Sequence, residues 1–258
     1  HQETEFGYFT SKEFEQDYKK VWARYFAAAS SDQLIVAKNV SLCYSEEWFE
    51  RFHDHYPQCK VVMIFREPVE RCISGYFMGV EDGWMKYPFN DIVTVLKNND
   101  TEHMLYRLVI RFSLYAEQMR LIYKYFNKED VMVLLYENLS SSPDMVCNRI
   151  YKWLGLESHE SASYSVHNQT NEKRSKLLTG IIKNLRKESN PVKRAAKRVL
   201  PGRMYSNLGG KVVELNTSKK KVDQEVDEGT KEYLREYFRP LNTEFSELTG
   251  IDLSAWDS

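Results

Sequence analysis

Two hydrophobic rhythms alternate along the chain. Continuous apolar and β-branched runs at Lys60 to Phe65 and Val131 to Tyr136 predict parallel strands buried on both faces. Gln33 to Ala37 predicts a shorter strand. Apolar residues at three- and four-residue steps predict amphipathic helices between them. Phe14 to Ala29 carries Phe14, Tyr18, Trp22 and Phe26 on one stripe, and Ser45 to His55 has Glu46 and Glu47 in its first turn. Met104 to Phe126 carries Leu108, Phe112, Tyr115, Met119, Ile122 and Phe126, the length and stripe of a packed crossover helix. Ser142-Pro143 reads as an N-cap followed by proline at the first helical position, with the helix running to Trp153 and stopping at Gly155. Thr230 to Leu248 predicts a closing helix. Helices interleaved with strands point to an α/β fold with a parallel sheet.

With 258 residues and 42% hydrophobic composition, the chain can bury one large core or two small ones. Its longest apolar runs fall far short of the roughly 20 residues of a membrane helix, and no charged stretch followed by an apolar one opens it. Cys43, Cys59, Cys72 and Cys147 have no C-x-x-C spacing and no paired histidines, so no metal is expected. Sequons at Asn39, Asn99, Asn138, Asn168 and Asn216 would suit a glycoprotein of the secretory route. The net charge of -1 conceals an uneven distribution. Residues 173–203 hold eleven Lys or Arg against Glu188, a local +10 that leaves about -11 elsewhere. Such a stretch suits an anionic partner: a nucleotide, a polyanionic glycan, nucleic acid or a membrane surface; it equally describes a solvated helical face. Leu177, Leu178, Ile181, Ile182 and Leu185, then Val192 to Leu200, place it on one or two helices before a loop at Gly209-Gly210.

Ligands of open α/β sheets bind at the C-terminal ends of the strands. There the first buried run ends in Arg66-Glu67-Pro68-Val69-Glu70-Arg71-Cys72-Ile73-Ser74. Pro68 sets the first turn of a helix, so Arg66 and Ser74 can converge on one anion, the arginine by a forked contact and the serine by its hydroxyl. The same spacing also allows Arg66 to pair with Glu67 or Glu70 while Ser74 faces water.

The pattern R-x-P-x-x-R-x-x-S after an apolar strand resembles the 3'-phosphate motif of sulfotransferases that use 3'-phosphoadenosine-5'-phosphosulfate (PAPS). Leu134-Leu135-Tyr136-Glu137-Asn138-Leu139, then Pro143 and Trp153-Leu154-Gly155-Leu156, is similar to that family's block after the next strand. Leu234-Arg235-Glu236-Tyr237-Phe238-Arg239-Pro240-Leu241-Asn242, with Gly250 and Trp256, resembles its C-terminal ending. The resemblance runs from residue 1 to the end and is to the carbohydrate branch of the family. It implies one sulfotransferase domain over 1–258, of P-loop-like α/β architecture with a central parallel sheet flanked by helices, and a basic helical or loop insertion at 173–222. It assigns Arg66 and Ser74 to the 3'-phosphate and Tyr136 to the adenine. Gln2 to Phe6 resembles the segment whose glutamate is the general base, which maps to Glu3; Ala37 to Tyr44 resembles the segment that carries an active-site lysine, Lys38. His167 to Ser175 resembles the loop that closes over the nucleotide, which makes Lys173 and Arg174 further 3'-phosphate ligands.

The family's Gly-rich 5'-phosphosulfate loop has no counterpart in the sequence. Gly209-Gly210-Lys211 follows no buried strand. The expectation is a chain that lacks one strand-loop-helix unit of about 30 residues. The implied reaction moves a sulfuryl group from PAPS, with adenosine 3',5'-bisphosphate (PAP) as product, to a hydroxyl of a carbohydrate. Glu3 would take the hydroxyl proton and Lys38 would stabilise developing charge, without a metal. The implied acceptor is a glycan or another hydroxyl-bearing molecule, including one that is already anionic, rather than nucleic acid. A nucleotide kinase would need a Walker-type loop and Mg²⁺-binding acids, which the sequence lacks. A non-catalytic module that binds PAP or glycan, or an inactive truncated homologue, is the other reading. A eukaryotic source would place the protein in the Golgi lumen, a bacterial one in the cytoplasm.

Overall fold

The structure is a computed structural model that describes residues 5–10, 14, 17–30, 33–158, 171–173, 217–221 and 226–256, with 171–173 and 217–221 described by their backbone alone. The chain separates into two compact units, residues 1–162 with 226–258, and residues 163–225. In the second unit β3 (Asn171–Lys173) pairs antiparallel with β4 (Thr217–Lys221), Lys173 opposite Thr217. The predicted insertion at 173–222 begins within this unit; its basic helices lie outside the described residues.

The first unit is built around two parallel strands, β1 (Val61–Phe65) and β2 (Val131–Leu135), paired in register from Val61 opposite Val131 to Phe65 opposite Leu135. Between them the chain runs through α3 (Pro68–Asp82), α4 (Asp91–Lys97) and α5 (Tyr115–Tyr125). Ahead of β1 lie α1 (Tyr18–Phe26) and α2 (Glu46–His55); after β2 come α6 (Tyr136–Ser141), α7 (Pro143–Trp153) and, closing the unit, α8 (Glu228–Thr249). One face of the sheet buries Phe65 and Val131 against Phe49 of α2, Tyr115, Met119 and Ile122 of α5 and Phe245 of α8. On the other face Met132 and Leu134 pack on Val146, Ile150 and Trp153 of α7. Their partners in β1 do not share that cover: Val62 is 36% and Ile64 47% exposed. The expectation that both faces of this strand are buried is corrected, because α7 covers β2 and nothing among the described residues covers β1.

Local chemistry explains where the elements begin and end. α3 starts at Pro68, whose missing N–H and fixed φ suit the first helical position. It stops at Gly83, which takes φ 74°, a conformation that costs glycine little. Asp17 caps α1 by accepting from the Lys19 N–H at 3.0 Å, so that helix begins four residues later than its aromatic stripe suggests. Asp227 does the same for α8, accepting from the Thr230 N–H at 2.8 Å. α7 spans the predicted residues, although the Ser142 side chain makes no cap bond. Gln33 to Ala37 is not a strand: it joins no ladder among the described residues, and Leu34 and Val36 are exposed.

The predicted Met104 to Phe126 helix is broken. A π-helical turn spans Tyr106–Ile110, a 3₁₀ turn follows at Arg111–Ser113, and Leu114 with ψ 72° separates these from α5. The reason lies in α3. Arg71 Nη1 donates to the Val109 carbonyl at 2.9 Å, and the Cys72 thiol lies 3.8 Å from the same oxygen. A side chain inserted on the carbonyl ladder is a recognised cause of such breaks.

Candidate nucleotide site

Arg66 leaves the C-terminal end of β1, and Tyr136 is the first residue after the C-terminal end of β2. Because the strands pair in parallel and in register, the two side chains emerge beside each other; the Arg66 guanidinium lies 5.4 Å from the centroid of the Tyr136 ring. Tyr136 opens α6 rather than ending the strand, which keeps its ring exposed instead of in the core. The Arg66 backbone is held from behind by Tyr115, whose hydroxyl donates to the Arg66 carbonyl at 2.8 Å.

Ser74 stands two turns into α3, half buried, and its hydroxyl has no hydrogen-bond partner among the described residues. Between Arg66 and Ser74 in the sequence comes Glu70, which accepts from Arg66 Nη2 at 2.8 Å. Of the two partners the sequence allowed, the structure selects Glu70. The N-terminus of α3 is itself filled: the Glu67 carboxylate accepts from the N–H groups of Val69 at 3.0 Å and Glu70 at 2.7 Å. Two of the N–H groups that a helix start offers to an anion are thus already taken by Glu67. Burial pushes the Glu67 carboxyl above the usual range despite those two donors.

Sequence reasoning missed the residue that ties this corner together. The Glu137 carboxylate accepts the Glu67 backbone N–H at 2.9 Å through one oxygen and the Trp256 indole N–H at 3.0 Å through the other. It thus joins the residue after Arg66, the residue after Tyr136 and the C-terminal tail. Trp256 also stacks on Phe245 with an interplanar angle of 8°. The only signal in the sequence was that Glu137 and Trp256 sit in two recognisable blocks; their contact spans 119 residues.

Arg71, between Arg66 and Ser74, faces the other way. Besides Val109 it meets the Phe112 ring at 4.9 Å, and Gly75 makes room for its guanidinium, since a Cβ there would stand 3.1 Å from Nη1. Cys72 beside it is buried and its thiol is pushed up to about 12 by that burial, so it stays protonated at neutral pH.

Lys38 lies in the extended segment after α1, 69% exposed, 3.5 Å from the Glu5 carboxylate. The backbone brings these together: the Phe6 N–H donates to the Lys38 carbonyl at 2.9 Å, and the Asn39 side-chain amide donates to the Phe6 carbonyl at 2.9 Å. The segment is anchored further on, where Arg111 Nη2 donates to the Tyr44 carbonyl at 2.8 Å and Tyr44 packs edge-on against Phe112. Glu3 and Arg174 lie outside the described residues, and Lys173 is placed by its backbone alone. A cavity of about 610 Å³ among Lys128, Met132, Arg149, Trp153 and Asp252 is lined by none of Arg66, Ser74 and Tyr136. Among the described residues no group of acids, histidines and cysteines could hold a metal, and no helix is long and apolar enough to cross a membrane.

Comparison with known proteins places this geometry. The solved sulfotransferase from Alicyclobacillus acidocaldarius superposes with a TM-score of 0.62 over 94% of this chain and 75% of its own, at 19% identity, a likeness of fold. That fold is the expected α/β one, a parallel sheet flanked by helices. Among curated proteins, heparan sulfate glucosamine 3-O-sulfotransferase 6 of Mus musculus is 23% identical over 87% of this chain, and heparan sulfate glucosamine 3-O-sulfotransferase 5 of Homo sapiens 25% identical over 86%. The aligned region spans 57% and 56% of those two relatives. The family model for sulfotransferases matches residues 8–160, more than half of the chain and the stretch that contains Lys38, Arg66, Ser74 and Tyr136, and the chain belongs to the sulfotransferase family.

Proposed function

We propose that the protein transfers a sulfuryl group from PAPS to a hydroxyl of a glycan. The observation that carries this reading is the pairing of Arg66 and Tyr136 at the ends of two adjacent parallel strands, with the Ser74 hydroxyl, unpartnered among the described residues, two turns into the helix that follows Arg66. A forked cation and a hydroxyl fit a phosphate, and an exposed aromatic ring fits a purine face. Arg66 and Ser74 hold the 3'-phosphate and Tyr136 meets the adenine. Glu3 takes the proton of the acceptor hydroxyl as its oxygen bonds to sulfur and the bond from sulfur to the nucleotide's 5'-phosphate oxygen breaks. Lys38 stabilises the charge that develops on the transferred group, its ammonium paired with Glu5 in the free protein. The glycan acceptor is supported by the relatives, whose names specify heparan sulfate glucosamine. An anionic acceptor of that kind also suits the basic stretch at 173–203.

Thermal unfolding with adenosine 3',5'-bisphosphate, set beside ADP and ATP, tests the nucleotide half. At about 100 times its Kd a ligand stabilises the native state by roughly 2.7 kcal/mol. The expected result is stabilisation by the 3',5'-bisphosphate and little by the two nucleotides without a 3'-phosphate; equal response to all three would overturn the reading. Sulfate transfer from PAPS to a glycan, lost in Glu3→Gln with bisphosphate binding retained, separates a transferase from a binding module.

A further inference from the structure

We propose that Glu70 is the built-in competitor of the nucleotide's 3'-phosphate: its carboxylate occupies Arg66 in the free protein and must leave for the phosphate to bridge Arg66 and Ser74. This rests on the nucleotide reading above and adds to it a residue that sets affinity. Glu70 and Ser74 are four apart on α3 and stack one above the other on its flank, and Arg66 stands just ahead of that helix. The Arg66–Glu70 ion pair shows that the guanidinium lies over the first turn of α3, so the acid stands between the cation and the hydroxyl that one phosphate has to touch together.

Three carboxylates belong to this corner, one of them paired with Arg66, and they are held differently. Glu67 is fixed by the N–H groups of Val69 and Glu70, and Glu137 by the Glu67 N–H and the Trp256 indole. Among the described residues the Glu70 carboxylate has Arg66 alone, and its side chain is 54% exposed. Its rotation toward water therefore breaks one contact and leaves the others intact. An arginine fork can exchange one carboxylate for a phosphate without moving, because both accept in the same planar geometry. In the free protein Glu70 keeps Arg66 beside Tyr136; in the complex the same negative charge, one turn from the phosphate, weakens its hold. Glu70 thereby favours release of the bisphosphate product.

The test is the sign of an affinity change. Titration calorimetry of the full chain measures Kd for adenosine 3',5'-bisphosphate and for ADP, in the wild type, Glu70→Gln and Glu70→Ala, with thermal unfolding of each. The expected outcome is a Kd for the bisphosphate lower by about threefold to fivefold in both variants, the scale of an exposed ion pair, with the Kd for ADP unchanged. In an Arg66→Ala background the gain should vanish, because no cation remains to compete for. A bisphosphate Kd that stays level or rises in both variants overturns the proposal and makes Glu70 a positioning residue for Arg66. A wild type that does not distinguish the two nucleotides overturns the nucleotide reading itself, and the role of Glu70 with it.

Discussion

The two arginines of the segment after β1 are five residues apart and have opposite surroundings. Arg66 sits at a strand end with an exposed acid and an exposed ring for neighbours. Arg71 is enclosed by α3, Phe112 and the carbonyl of Val109, over a glycine that leaves it space. α3, which follows Arg66 and carries Arg71, has an outer flank with Glu70 and Ser74 and an inner flank arranged for packing, where Cys72, Gly75 and Gly79 are buried. One nine-residue motif therefore carries both the proposed ligand residues and the wall behind them, and losing either arginine is expected to abolish something different.

The sharpest way to break that comparison is to truncate each arginine. Arg71→Ala leaves the Val109 carbonyl without its donor and a void beside Phe112, and should cost about 3 kcal/mol of stability by urea unfolding, with the preference for a 3'-phosphate intact. Arg66→Ala should do the reverse: little change in unfolding, and a loss of about 2 kcal/mol, roughly thirtyfold, in bisphosphate binding. If the two swap effects, the assignment of the flanks is wrong. Glu137→Gln lies between them. Glutamine offers one acceptor where the carboxylate offers two, so an amide N–H faces either the Glu67 N–H or the Trp256 indole. The expected cost is about 1–2 kcal/mol in thermal unfolding, accompanied by weaker binding of bisphosphate and ADP alike.

The mildest test acts on the inner flank from a distance. Asp227 caps α8, whose Leu234 and Phe238 pack in the same core as Val69 and Cys72 of α3. The N–H and hydroxyl of Thr230 hold the Asp227 carboxyl below its usual range. A carboxyl so lowered stabilises the fold above its unfolded pKa and loses that contribution as pH falls through the folded one. The wild type should thus unfold at a higher temperature than Asp227→Asn at pH 7, with the gap closing below about pH 4. Nucleotide affinity at pH 7 should not move.

What was legible in the sequence was whatever a short window determines. The β-branched runs at Val61 to Phe65 and Val131 to Leu135, Pro68 at a first helical turn and Gly250 past the end of α8 all act through their own neighbours. Arg66, Ser74 and Tyr136 could be placed because a strand and a helix start position them. The false strand at Gln33 to Ala37 shows the limit: a short apolar run becomes a strand only where a partner edge exists, and among the described residues the backbone bond to Phe6 is made by the next residue, Lys38. The π turn was invisible for a related reason. The stripe from Leu108 to Phe126 keeps helical spacing, while the cause of the break is Arg71, on another helix. Lys38 was found as a lysine, but its partner Glu5 depends on two segments lying side by side.

Trp256 gives the site an optical consequence. Its indole N–H rests on a carboxylate that also holds the residue after Arg66, and its ring lies against Phe245 and within 5.9 Å of Tyr115. Emission from an indole responds to nearby charge and to the polarity around it, and Tyr115 is close enough to pass excitation to it. Of the five tryptophans in the chain, this one is wired to the corner where nucleotide binding is expected, so the difference spectrum between the wild type and Trp256→Phe reads that corner without any added label.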